Sequence, residues 1–140
     1  MKKILVLNGP NLNMLGKRPK NYYGSLSLEQ INHLIQTQAE GFEVSFYQSN
    51  HEGDLVEKIQ QSLDFYAIIL NPAAFTHTSV ALRDALELFE GHKIEVHLSS
   101  VDEREGFRKI NYIRDLCEIC FSGKKHQSYL DAIEYLKNLK

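Results

Sequence analysis

Glu95 and His97 stand two residues apart in the segment IEVHLS, residues 94–99. In an extended segment both side chains lie on one side of the backbone. A carboxylate placed there can hold an imidazole and favour its protonated form, as a general acid requires. The same alternation also arises by chance on a solvated strand face. Earlier in the chain, NGPNLNMLGKRPKNYYG (residues 8–24) sets Arg18 shortly before Tyr22 and Tyr23. This stretch reads either as a surface loop with two exposed tyrosines or as a phenol activated by a guanidinium. The energies permit the second option. Bringing a phenol from its usual pKa near ~10 to near neutrality costs roughly 4 kcal/mol. A cation at ~4 Å supplies about that much at an effective dielectric of ~20. An anionic substrate would oppose the shift, so its carboxylate would need donors of its own.

Further candidates lie in NPAAFTHTSVALRD, residues 71–84. Small residues there let backbone approach a ligand. Thr76, His77, Thr78 and Ser79 gather where a helix is expected to begin, and a helix N-terminus suits a carboxylate. Capping by a Thr or Ser accounts for one of the four. Arg104 and Arg108 in EREGFR are spaced for one helix face, with salt bridges to Glu103 or Glu105 as the competing explanation. Cys117 and Cys120 form a lone CxxC with no second half-site, so neither metal binding nor redox use is expected. The six histidines make no HxH or HExxH pattern, and His33, His92 and His126 are expected at the surface. There is no GxGxxG and no Walker A, so nothing points to a nucleotide cofactor.

The elements that must carry these residues alternate in type. Short apolar runs occur at residues 3–7, 44–47, 66–70, 94–98 and, more weakly, 119–121, each closed by a turn signal. They read as buried strands. Between them lie helical faces: Leu28, Ile31, Leu34 and Ile35, with Ser27 as N-cap and Gln30 completing a capping box; Leu55, Val56, Ile59 and Leu63; Val80, Ala81, Ala85, Leu88 and Phe89; and Leu130, Ile133, Leu136 and Leu139. A short helix is expected over residues 103–108. Such β-α alternation predicts an α/β fold, a flavodoxin-like three-layer sandwich on a five-stranded parallel sheet. Ligands of open α/β sheets bind beyond the carboxyl ends of the strands. Asn8 and Asn11 follow the first strand, Asn50 and His51 the second, and Asn71, Thr76 and His77 the third. His97, Ser99 and Ser100 follow the fourth. Polar groups thus converge on one rim.

Length and composition bound the rest. The 140 residues suit one domain. Apolar residues make up 43% and charged residues 24%, an ordinary globular balance. A net charge of −2 argues against nucleic acid as the main partner. No apolar run reaches a membrane span, and the apolar start is too short for a signal peptide, so a cytoplasmic protein with reduced thiols is expected. A binding module holding a flavin or nucleotide at the same rim is the competing class; no phosphate-cradling glycine loop follows the first strand.

The motifs together resemble those of the type II 3-dehydroquinate dehydratases (type II dehydroquinases) of the shikimate pathway. The resemblance rests on NGPNLNMLG (residues 8–16), the Arg18 to Tyr23-Gly24 spacing, SNHEG (49–53), THTSVALRDAL (76–86), EVHLS (95–99) and RE-x-FR (104–108). It implies one domain over residues 1–140, with a lid loop at about 17–24. The implied reaction is dehydration of 3-dehydroquinate to 3-dehydroshikimate by anti elimination through an enolate, without metal or cofactor. It also implies a dodecamer built as a tetramer of trimers.

Carried over residue by residue, the resemblance makes Tyr23 the base and Arg18 the residue that lowers its pKa. Asn11 holds the water that stabilises the enolate. His97, oriented by Glu95, is the acid. Asn71, His77, Leu98, Ser99 and Arg108 are implied substrate-binding residues, with Asp84 contributed by a neighbouring subunit. The chain departs from the family's habits at Ser100, at Gly106, at Ala73 (where glycine is common), at Pro19, and over residues 123–129.

Overall fold

Lys2–Asn8 (KKILVLN) forms β1, an interior strand of the sheet. Ile4, Leu5, Val6 and Leu7 are all fully buried. Side chains alternate across a strand, so an unbroken apolar run demands cover on both faces. This computed structural model describes residues 1–17, 24–100 and 105–139. Phe42–Gln48 forms β2, Ala67–Asn71 β3, His92–Val96 β4 and Ile119–Phe121 β5. The strands pair in parallel in the order β2-β1-β3-β4-β5, the flavodoxin-like order.

The cover comes from α1 (Leu28–Gln38), α2 (Glu52–Gln60), α3 (Val80–Glu87) and α4 (Gln127–Lys137). On one face Ile4, Val6, Ile69 and Val96 meet Ile31 and Ile35 of α1 and Tyr129, Ile133 and Leu136 of α4. On the other, Leu5, Leu7, Ile68 and Leu70 meet Leu55 and Ile59 of α2 and Leu82 and Leu86 of α3. Each fully buried aliphatic side chain contributes roughly 2 kcal/mol of transfer free energy. The expected capping box starts α1: Gln30 N donates to Ser27 Oγ at 3.1 Å, and Ser27 N donates to Gln30 Oε1 at 2.9 Å.

Several sequence expectations need correction. The fourth strand ends at Val96, so His97 and Leu98 lie beyond it. The run Ala73–His77 is a 3-10 turn, and only Ser79 caps α3, accepting from Leu82 N at 2.9 Å. Thr76 and His77 are therefore not at a helix N-terminus. Ala73, in the left-handed region at φ 52, interrupts any continuous α-helical path, and Phe75 N donates to Pro72 O at 3.1 Å to close the tighter turn. On α3 and just past its end, Ala85 and Phe89 are buried as expected, but Leu82 and Leu86 complete the buried face, whereas Val80 and Leu88 are exposed. Leu63 and Leu139 lie past the ends of α2 and α4. The helix expected at 103–108 is, over its described part, a 3-10 turn at Gly106–Lys109. Arg18, Tyr22, Tyr23, Glu103 and Arg104 lie outside the described residues, as does most of the expected lid.

Candidate active site

The strand order sets the carboxyl ends of β1, β3 and β4 side by side. Asn8 is in register with Asn71, and Leu70 with Glu95. At this rim His97 Nε2 and Glu95 Oε2 are 2.5 Å apart. Although β4 has ended, His97 N donates to Phe121 O at 3.0 Å, so the extended backbone continues one step further. That step keeps His97 on the side to which Glu95 points. Glu95 is fully buried. Burial alone would push its carboxyl up, but hydrogen bonds from His97, Asn111 and Arg114, with the His97 charge, outweigh it and hold the group at about 2. The carboxylate is therefore anionic at neutral pH, as an orienting partner must be.

Two donors at Glu95 have no periodic signal in the sequence. Asn111 Nδ2 donates to Oε2 at 2.6 Å, and Arg114 Nε donates to Oε1 at 2.5 Å. Both sit on the irregular stretch between Gly106–Lys109 and β5. That stretch is pinned to the body of the fold. Tyr112 N donates to Thr76 O at 2.9 Å. Arg83 on α3 donates to Tyr112 O at 2.7 Å and to both carboxylate oxygens of Asp115.

A second network closes the rim. Asn71 Nδ2 donates to Tyr129 Oη at 2.9 Å, Tyr129 Oη donates to Asn8 Oδ1, and Ala73 N donates to Asn71 Oδ1 at 3.1 Å. Gly9 N donates to Asn71 O at 2.8 Å. A Cβ on Gly9 would lie 2.3 Å from Pro72 O, so only glycine fits this approach. Asn11 has φ 69, and its backbone N donates to Asn50 Oδ1 at 2.9 Å.

The other expected residues are placed as follows. His77 is buried, with Nδ1 2.7 Å from Ile110 O. This contact lays the turn that carries Arg108 against the turn that follows β3. Arg108 Nε donates to Glu105 Oε2 at 2.9 Å. Leu98 and Ser99 are buried just after His97, and Leu98 O accepts from Lys125 N at 2.9 Å. Asn71, His77, Glu95, His97, Leu98 and Ser99 thus share the rim. Asp84 is exposed on α3, and no contact joins it to Glu95 or His97. Asn111, Arg114 and Tyr129 are the site residues that sequence reasoning missed. Only Tyr129 carried a signal, one turn before Ile133 on the buried face of α4.

Glu95, His97 and Cys120 present ligand-type atoms within 4.8 Å of one another. Both carboxylate oxygens already accept hydrogen bonds, and the Arg114 cation opposes a second positive charge there. The trio therefore fits a hydrogen-bonded acid with a flanking thiol better than a metal centre. Burial, reinforced by the Glu95 charge and by Cys120, pushes the Cys117 thiol up to about 12, which makes it a poor nucleophile or ligand.

Comparison with known proteins gives this rim a context. Residues 2–137 match the family model described as dehydroquinase class II. A 3-dehydroquinate dehydratase from Thermotoga maritima is 47% identical over 137 residues, covering 96% of this chain and 94% of that protein. One from Histophilus somni is 50% identical over 141 residues, covering 97% and 93%. The crystal structure of a type II dehydroquinase from Butyrivibrio crossotus aligns with a TM-score of 0.93 at 44% identity, covering 98% of both chains. The chain belongs to the class II dehydroquinase family.

Proposed function

We propose that this class II dehydroquinase is a hydro-lyase that removes water from 3-dehydroquinate to give 3-dehydroshikimate, within the shikimate pathway that leads to aromatic amino acids. The observation that carries the proposal is the buried Glu95–His97 pair at the carboxyl rim of the sheet. Expelling a tertiary hydroxyl from an enolate needs a proton donor on the leaving oxygen, and an imidazole held by an ionised carboxylate supplies one.

The steps balance without an oxidant or reductant. The Tyr23 phenolate, favoured by Arg18, takes a proton from C2, and the C2–H electron pair moves into the C3 ketone to give an enolate. A water held by Asn11 stabilises that enolate through a hydrogen bond. The enolate then collapses, the C1–O bond breaks, and His97 protonates the departing hydroxyl as water. A C1=C2 double bond forms in conjugation with the ketone. Proton return from Tyr23 to His97 through solvent resets the site. Asn71, His77, Leu98, Ser99 and Arg108 bind the substrate; the shared rim and the His77–Ile110 contact beside Arg108 support that grouping.

The active unit in this proposal is a dodecamer, a tetramer of trimers, in which a neighbouring copy's Asp84 completes each site. The exposure of Asp84 on α3, with Val80 52% exposed on the same helix and Leu88 55% exposed just past its end, supports an interface there. The chain acts as one domain over residues 1–140, in the cytoplasm and with no metal or cofactor. Among the described residues no helix is long and apolar enough to cross a membrane. The test is an ultraviolet assay for the conjugated enone product from 3-dehydroquinate. A pure, folded sample that makes no enone would overturn the assignment, and sedimentation of the active sample gives the size of the assembly.

A further inference from the structure

We infer that Arg114 is a positioning residue for the acid step: it locks the Glu95 carboxylate by one oxygen so that the other orients His97. The inference rests on the role given to His97 above and extends it to a residue with no assigned role.

Glu95 has no exposure at all, and its two oxygens divide the work. Oε1 takes the Arg114 Nε donor, while Oε2 takes Asn111 and His97. The terminal torsion of a glutamate is broad and close to two-fold, so staggering alone does not fix the carboxylate plane. Donors on both oxygens do fix it. Arg114 supplies the charged donor on Oε1, and charge-assisted bonds are about twice as strong as neutral ones. Its side chain keeps 41% exposure, so the cation stays partly hydrated while its bond reaches a carboxylate that is 0% exposed. The desolvation that makes many buried ion pairs unprofitable falls here on one partner only.

The bracket is preformed. Asn111 Oδ1 accepts from Ile113 N at 3.0 Å and from Arg114 N at 2.9 Å, so one side-chain turn fixes the direction in which Arg114 leaves the backbone. The Arg83–Asp115 pair then ties that turn to α3. Both donors to Glu95 thus arrive as a unit, three residues apart, on the segment that also carries Arg108. Asn111 and Arg114 both reach the rim through the Glu95 carboxylate, and from there the effect passes to His97.

The experiment uses the full chain as Arg114→Leu and Arg114→Lys, with His97→Ala for assignment. Steady-state rates are measured together with the downfield proton resonance of the imidazole that His97→Ala removes. In Arg114→Leu we expect kcat to fall about tenfold or more with KM within about twofold, part of the ~10²–10⁴ that a general acid supplies. We expect the resonance to move or broaden, and Arg114→Lys to recover most of both. A folded Arg114→Leu with unchanged resonance and kcat would overturn the inference. Equal losses in the Leu and Lys variants with a lowered melting temperature would overturn it as well, by marking a packing role. If the resonance responds but His97→Ala turns over at the parent rate, the bracket stands and the acid role given to His97 fails.

Discussion

Tyr129 and Asn8 are 121 positions apart in the chain, yet the tyrosine hydroxyl donates directly to the asparagine Oδ1. The same hydroxyl accepts from Asn71, so one phenol on α4 joins the ends of β1 and β3. Burial pushes its ionisation up, which keeps it neutral and able to donate. The rim that carries the site is fastened from behind by this contact.

Tyr129→Phe removes the hydroxyl and leaves Asn8 Oδ1 and Asn71 Nδ2 buried without it. The expected loss is ~2 kcal/mol, in the range for orphaned buried polar groups. Urea unfolding checks it through a lowered midpoint at unchanged slope; a loss under about 0.5 kcal/mol would mean that the network carries little energy.

Acid should weaken the fold through Glu95. Its folded pKa of about 2 lies below the ordinary glutamate value of 4.5, so its stabilisation is complete above the ordinary carboxylate range and fades as pH falls from about 4.5 towards 2. At ~1.4 kcal/mol per pKa step, that difference amounts to roughly 3 kcal/mol. Glu95→Gln should be less stable than the parent near pH 7 and should lose less stability across the acid window. Parallel acid-unfolding curves for parent and variant would contradict the assignment.

Ala73 occupies a left-handed backbone conformation, φ 52, at the position where the resembled family commonly carries glycine. A Cβ in that region costs ~1–2 kcal/mol, of which glycine's greater freedom in the unfolded chain takes back ~0.5–1. Ala73→Gly should therefore raise stability by about 0.5 kcal/mol or more, read as a higher denaturation midpoint. A lower midpoint would show that surrounding packing already compensates the strain.

The base and the acid should separate in their pH dependence. Tyr23→Phe and His97→Ala should each abolish turnover with circular dichroism close to parent, and His97→Ala should also melt lower because it takes a donor from the buried Glu95 carboxylate. Arg18→Ala should cut kcat strongly and move the acidic limb of the kcat/KM profile upward, because in the proposed mechanism the Tyr23 phenolate loses the charge of Arg18. If that limb stays in place, Arg18 does not activate Tyr23 by its charge.

The strands, three of the four helical faces and the sheet's topology were legible in the amino-acid order because they follow from local periodicity. An unbroken run such as Ile4–Val6 with Leu7 must be covered on both sides, and Ser27 with Gln30 marks a helix start wherever it occurs. The Glu95–His97 pair was legible for the same reason, since its spacing is a property of extended backbone. The start of α3 was legible only to within Thr76–Ser79, because several residues there suit a helix start, and only the 3-10 turn after Pro72 selects Ser79.

What tertiary structure alone decided is who holds the site. Asn111 and Arg114 lie in a stretch with no period, 16 and 19 positions beyond Glu95, and nothing local aims them at a carboxylate. Their direction is set by Arg83, Thr76 and the Asn111 turn, contacts that exist only once the sheet has placed β4 beside β5. Tyr129 likewise finds Asn8 and Asn71 only because parallel pairing brings those strand ends together. Periodicity is written along one segment of chain, whereas hydrogen bonds between irregular segments depend on where the whole chain has gone.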